Sequence, residues 1–515
     1  MSAACPAILV AAPASGQGKT TVAAALARLH ARAGRRVRAF KCGPDFLDPH
    51  WLALATGEPV HNLDLWMTGE HDARARLHAA AEQADLIVVE GVMGLFDGEP
   101  SAADLAQRLG LPVLAVIDAS AMAGTFGALA FGLQHFRPGL PWAGVLANRV
   151  ASERHAQMLQ ESLAGNAASF LGAVMRDAAF TLPERHLGLT VAAELPDAMA
   201  RLDAAADALA TTALGQMDGA ALAQWAVRFE APAPVPPSVP LLAGRTIAVA
   251  RDAAFCFVYP ANLDTLRALG AELAFFSPLA NEPLPDCDAA WLPGGYPELH
   301  AAALAACDQT QASLRGHLQA NRPLWAECGG MMPLFDAIVA SDGAEQATWG
   351  LLPGRVVMQK RLAALGPQQL TLPAGTLRGH TFHYSRCEST VQVERHTESV
   401  RGGALGVGEG VLYMEFEQLC CTPRSQGDYI ELAREFHTVL LANVQPMGTG
   451  TDDAARRFIA MVDEFYERHV KLILSAAVPM AALYGDGLLN FEFKRCLSRL
   501  QEMQSHEYLA RVHLP

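Results

Sequence analysis

The residues best equipped for chemistry stand near the start of the chain, in Gly16-Gln17-Gly18-Lys19-Thr20-Thr21. An apolar run beginning at Ile8 precedes them, and an Ala-rich helical pattern follows through Ala23–Arg32. A small-residue turn between strand and helix lets several backbone N–H groups converge on one anion, and the helix N-terminus adds its dipole. Lys19 is spaced to reach the β/γ-phosphates of ATP, and the Thr20 hydroxyl to hold Mg²⁺. Gly16, Gly18, Lys19, Thr20 and Thr21 are therefore candidate nucleotide-binding residues. Pro13 stands where the first Gly of the phosphate-loop motif belongs. The plainer alternative is an ordinary Gly-rich turn.

Other candidates follow apolar runs further along. Lys41-Cys42-Gly43-Pro44-Asp45-Phe46-Leu47-Asp48 sets two carboxylates three residues apart beside a Lys. Asp45 and Asp48 suit a metal or substrate clamp; the alternative is a solvated turn with an N-cap Asp. Glu90 closes the run Leu86–Val89 and opens a Gly-rich segment that ends Asp97-Gly98. An acid at a strand end near a phosphate loop is where a Mg²⁺ ligand belongs, and Glu is a weak helix cap. Asn148 ends another run; it either meets a purine base or caps the next helix. Cys328, in Glu-Cys-Gly-Gly after Leu324-Trp325-Ala326, has the setting of a nucleophile elbow, with a helix N-terminus expected to favour the thiolate. Gly294 and Gly295 offer backbone N–H groups to an oxyanion. A buried structural Cys is the alternative.

The elements that must hold these residues are short runs, apolar on both faces, alternating with helical patterns. Such a parallel sheet binds ligands at the carboxyl ends of its strands, where these side chains fall. A chain of 515 residues calls for two to four domains. Its net charge of −14 argues against general nucleic-acid binding. No apolar run reaches a membrane span, and ten Cys without a C-x-x-C pair fit a reducing compartment. The expectation is cytoplasmic, with no nucleic acid and no membrane partner, and with a homodimer left open.

The phosphate loop, the Lys41–Pro49 segment, Val89-Glu90-Gly91-Val92-Met93-Gly94-Leu95-Phe96-Asp97-Gly98 and Pro183–Leu189 together resemble the cobyrinic acid a,c-diamide synthase family and its hydrogenobyrinic acid counterpart. These are dethiobiotin-synthetase-like amidoligases. The resemblance implies that Lys19 and Thr20 bind ATP and Mg²⁺, with Glu90 a second metal ligand. It places Asp45, Asp48 and Asp97 at a carboxylate-activation site, with Lys41 offsetting phosphoryl charge. The partners implied are cobyrinate or hydrogenobyrinate, ATP, and glutamine or ammonia. Gly294-Gly295-Tyr296-Pro297-Glu298 and the Cys328 segment resemble class I glutamine amidotransferases. Their catalytic His lies in a late strand that this chain lacks; His380 and His383 precede its place. From about residue 410 the chain resembles the C-terminal part of AFG-one-like, cell-division-associated AAA-type ATPases. Asn443, Arg456 or Arg457, and Arg499 would match their sensor and finger positions. A sheet without its central strands should leave apolar faces uncovered.

The fold class expected is α/β throughout. Residues 1–230 form a P-loop amidoligase domain, 231–242 a Pro-rich linker, 243–405 a glutamine amidotransferase-like domain, and 406–515 a partial AAA-type tail. The competing reading is a P-loop ATPase acting as a switch, or a division-linked interaction protein. Ala14 stands where partitioning ATPases carry a signature Lys.

Overall fold

A computed structural model describes the chain except residues 1, 164–168, 186–187, 190–194, 234–238, 373–374, 392–397, 400–405, 409–410, 423 and 515. The middle of the Pro-rich linker and part of the Pro183–Leu189 segment thus lie outside the described residues. The chain divides into two units, Met1–Ala363 with His383–Gln392, and Ala364–Phe382 with Val393–Pro515.

The first unit begins with β1 (Ser2–Ala11), α1 (Lys19–Arg32), β2 (Val37–Cys42), α2 (Asp48–Thr56), β3 (His61–Leu63), α3 (Gly69–Ala81), β4 (Leu86–Glu90), α4 (Ala102–Leu109), β5 (Val113–Asp118), α5 (Thr125–His135), β6 (Trp142–Val150) and β7 (Phe170–Met175). The sheet order is β3-β2-β4-β1-β5-β6-β7. These neighbours run parallel, while Ala226–Glu230 pairs antiparallel with the first half of β1. The apolar runs become central strands because both of their faces are covered. Leu9, Ile87, Val89 and Val113 fill one side, and Ile8, Val10, Val88 and Leu114 pack with Ala23–Ala27 of α1 on the other. Every strand pointing the same way delivers its C-terminal residue to one edge, so Glu90, Asp118 and the phosphate loop converge.

A second parallel sheet in the same unit orders Glu272–Phe276, Thr246–Ala250, Ala289–Leu292 and Leu324–Ala326. Its last two strands aim Gly294 and Cys328 at each other.

In the second unit Gly406–Gly408, Val411–Glu415, Thr438–Val444 and Lys471–Ala476 form a sheet in chain order. The expected bare apolar face is not what the tail presents. Leu412, Met414, Val439 and Leu441 pack with Phe458, Met461, Val462, Phe465 and Phe493 in one buried cluster. The amphipathic helices Asp452–Glu467 and Asn490–Met503 supply that cover. Ile473 on the edge strand and Phe491 remain exposed. No helix among the described residues is long and apolar enough to cross a membrane.

Candidate active site

The phosphate loop leaves β1 and turns through Gly16 (φ +76°) and Gly18 (φ +90°), left-handed conformations that suit Gly. A Cβ on Gly18 would collide with the Asn148 carboxamide. Asn148, buried at the end of β6, donates to Gln17 O at 2.9 Å, and Gln17 Oε1 accepts from Asp118 N at 2.9 Å. The ends of β5 and β6 therefore brace the loop. The helix after Asn148 is capped by Ser152, which accepts from His155 N. That removes the capping alternative for Asn148.

Lys19 lies along the loop with Nζ 3.1 Å from Ala14 O; burial, and then Lys41, hold its ammonium below the ordinary range. The Thr20 hydroxyl donates to Glu90 Oε1 at 2.6 Å. Glu90 is fully buried, and Lys41 Nζ lies 3.1 Å from the same oxygen. Lys41 also reaches Asp48 Oδ2 at 2.6 Å and Gly91 O at 3.0 Å. An unbroken chain of polar contacts thus runs Thr20–Glu90–Lys41–Asp48. Asp45 Oδ1 accepts from Leu47 N and Asp48 N, bracing the start of α2. Asp97 Oδ2 accepts from Gly94 N at 2.9 Å, and a Cβ at Gly94 would meet both that oxygen and Pro13 O. Asp97 therefore stands against the phosphate loop. Thr21 is half-buried in the first turn of α1.

Burial opposes the charge on Lys41, but Asp48, Glu90 and Asp45 outweigh it and hold the ammonium well above its ordinary value. Burial also opposes charge on Asp48, and Lys41 keeps its carboxyl below the usual range. Burial and then Asp48 push both Glu90 and Asp45 upward. Four acids thus face two lysines. Glu90 Oε2 is buried without a hydrogen-bond partner. An orphaned carboxylate oxygen beside the phosphate-loop Thr fits a divalent cation. Mg²⁺ bound to phosphates needs only one or two protein ligands, which suits described residues holding no cluster of three or more His, Cys, Asp or Glu able to bind a metal.

Cys328 follows Leu324–Ala326 at φ +48°, the strained corner of an elbow. Gly294 lies close: a Cβ there would sit 3.2 Å from Cys328 Cβ. Gly295 packs against Ala254, leaving no room for a side chain. The N–H of Gly329 faces the thiol. Gly329 therefore joins Gly294 and Gly295 beside the thiol, and its place directly after Cys328 is the sequence signal for it. The expected thiolate is corrected. The element after Cys328 is a seven-residue 3-10 helix, Cys328–Leu334. Although the side chain is exposed, the surrounding walls, and then Glu298 and Glu327, push the thiol above its ordinary value. Among the described residues no histidine is hydrogen-bonded to Cys328; the His383 ring meets Ser385 O at 3.0 Å.

Burial raises the Glu298 carboxyl from 4.5 to about 7. A raised pKa contributes stability that is complete below about pH 4.5 and lost as pH climbs through about 7. Glu298→Gln keeps the neutral form. It should match the wild type in acid and exceed it near pH 8 by roughly 1–3 kcal/mol in denaturant titrations. Equal curves at both pH values would reject the assignment.

The two sheets of this unit meet through aromatic rings. Phe46, between Asp45 and Asp48, stacks on Phe257 at 5.0 Å and Tyr259 at 4.2 Å. Tyr259 Oη donates to Pro44 O at 2.6 Å, and Phe257 N donates to Gly294 O at 2.9 Å. In the tail, Asn443 donates to Glu415 at 2.8 Å, Arg457 to Cys420 O, and Arg499 pairs with Asp463 and Glu467.

A braced phosphate loop, opening onto a buried acid–lysine chain, equips a fold for driving bond formation with a nucleotide. Coupled to an elbow-Cys module, it defines the class of ATP-dependent amidoligases with a glutamine amidotransferase domain. Residues 8–189 match the CobQ/CobB/MinD/ParA nucleotide binding domain, 246–422 the CobB/CobQ-like glutamine amidotransferase domain, and 382–512 the AFG1-like ATPase family. The hydrogenobyrinate a,c-diamide synthase of Pseudomonas aeruginosa is 58% identical over 388 residues, covering 75% of this chain and 87% of that protein. The Stutzerimonas stutzeri protein of the same name is 59% identical over 388 residues, covering 75% and 88%. The cobyrinate a,c-diamide synthase of Herminiimonas arsenicoxydans is 47% identical over 408 residues, covering 78% and 89%. The chain belongs to the cobyrinate and hydrogenobyrinate a,c-diamide synthase family.

Proposed function

We propose that this protein amidates the a and c side-chain carboxylates of cobyrinate or hydrogenobyrinate, using ATP, as a step of cobalamin biosynthesis. A substrate carboxylate oxygen attacks the γ-phosphorus of ATP, and ADP leaves. Ammonia then attacks the acyl carbon, and inorganic phosphate departs to leave the amide. The observation that carries this reading is the Thr20–Glu90–Lys41–Asp48 chain, which ties the phosphate loop to the acidic turn. Lys19 would neutralise the β/γ-phosphates, and Lys41 the charge that develops as the phosphoryl group moves. Asp45, Asp48 and Asp97 line the carboxylate's approach, and Asn148 holds the loop beside the nucleotide. Mg²⁺, held by Thr20 and Glu90, would supply further charge neutralisation. We read the domains as residues 1–230, 243–405 and 406–515, joined by the linker 231–242.

ADP release in the presence of the corrinoid, ATP, Mg²⁺ and a nitrogen source tests the reading. Ammonium chloride should support turnover. Glutamine should not, because among the described residues no histidine is hydrogen-bonded to Cys328 and burial pushes its thiol above the ordinary value. No ADP with either source rejects the amidation. Equal rates with both would mean that a base reaches Cys328 after all.

A further inference from the structure

A cavity of about 500 Å³ opens beside the phosphate-loop site, and none of the residues described above explains it. Trp66, from the turn after β3, and Phe96, after β4, line it with Arg108 of α4 and Arg137 beyond α5. Asp64 Oδ1 fixes the Trp66 turn by accepting from Trp66 N and Met67 N, both at 2.8 Å. The Arg137 guanidinium lies over Phe96, 5.7 Å from its centroid, and is held there by Asp104 Oδ1 at 2.7 Å. Asp104 is a wall acid, but its other oxygen is committed to Ser101 N and Oγ. One contact to Asp104 leaves most of the five donors of Arg137 available. Arg108 is half-exposed and meets Glu70 only at 3.5 Å, a pairing worth little in water. Glu99 is the remaining acid of the wall.

The position of the cavity matters most. Phe96 and Gly98 line it, and Asp97 between them turns its carboxylate to Gly94 and Pro13 of the phosphate-loop side. One tripeptide therefore separates the cavity from the place where a phosphoryl group would be transferred. Aromatic faces accept a flat apolar ring, and guanidinium groups around them accept carboxylates. We propose that this cavity seats the ring of the polycarboxylate substrate, with Arg108 and Arg137 binding peripheral carboxylates while another reaches past Asp97 to the nucleotide. The proposal rests on the amidation reading, and it adds where the substrate sits and which side chains choose it.

The test uses the full-length protein with Arg108→Glu, Arg108→Lys and Trp66→Ala. The readouts are kcat and the KM values for hydrogenobyrinate and for ATP in the ammonium-dependent assay, together with hydrogenobyrinate binding to nucleotide-free protein by equilibrium dialysis. Arg108→Glu and Trp66→Ala should raise the corrinoid KM about tenfold or more and weaken binding to match, with kcat and the KM for ATP within about twofold. Arg108→Lys should recover much of the loss, because it restores the charge. Unchanged corrinoid KM and unchanged binding in a turning-over enzyme would overturn the cavity assignment and leave the amidation reading intact. Absence of turnover by the wild type would remove the amidation reading. The dialysis arm would then decide the cavity alone: binding weakened by the variants supports it, and no binding by the wild type overturns it.

Discussion

Lys41→Met should lower ammonium-dependent ADP release about 100-fold or more and destabilise the protein by roughly 3–5 kcal/mol near neutral pH. Met fills the same space without the charge. What it leaves behind is Glu90, fully buried, and Asp48, both formerly within about 3 Å of one ammonium. Two carboxylates in that position cannot both stay ionised. Either the fold bears the uncompensated charge, or Glu90 takes a proton and ceases to be a good partner for Thr20 and for a cation. The pH dependence separates these losses from a packing defect. In the wild type Asp48 is held below the ordinary carboxylate range by Lys41. Such a group contributes stability that is present above its unfolded pKa and lost as pH falls through its folded one. Removing Lys41 removes that contribution. The gap between variant and wild type should therefore be widest at neutral pH and narrow in acid. Denaturant titrations at the two pH values measure it, and a gap of constant size would show that only packing had changed.

Gly18→Ala should abolish tight ATP binding, raising the dissociation constant at least about tenfold by calorimetry, while leaving the melting temperature within a few degrees. The added methyl meets two costs. A residue with a Cβ at φ +90° is strained by about 1–2 kcal/mol. The methyl also strikes the Asn148 carboxamide, which must give up its bond to Gln17 O or push the loop outward. Gly16→Ala is the control. Its φ of +76° imposes similar strain, but nothing lies within 4 Å of the new methyl. It should cost several-fold less. Equal losses at the two positions would show that strain alone matters and that Asn148 is not a brace.

Much of the first unit was legible because a buried parallel strand announces itself as an unbroken apolar run. Leu86–Glu90 and Val113–Asp118 are such runs, and the catalytic candidates lie at their ends. The phosphate loop was legible because its chemistry is local. What the sequence could not disclose is which strand ends touch. Lys41 and Glu90 are partners in register because β2 lies beside β4, although β3 intervenes in the chain. The Asn148 brace depends likewise on the end of β6 returning to the loop. The elbow at Cys328 was readable from its flanking Gly, but its electrostatics depend on how far the fold buries the thiol, and then on the nearness of Glu298 and Glu327. The tail announced its change of character, yet the cover given by Asp452–Glu467 and Asn490–Met503 is a property of packing.

The ring pair Phe46–Phe257 gives two chemistries one shared piece of furniture. Phe257 fixes Gly294 with its own backbone while its ring leans on the turn that carries Asp45 and Asp48. An amidotransferase module that never split glutamine would still serve as a wall, its Phe257 and Tyr259 rings backing a turn that Asn62 holds from the other side through Gly43 O and Asp45 O. Loss of the Phe257 ring would therefore loosen the Asp45–Asp48 turn and disturb the strand end at Gly294 together, whichever nitrogen source feeds the reaction.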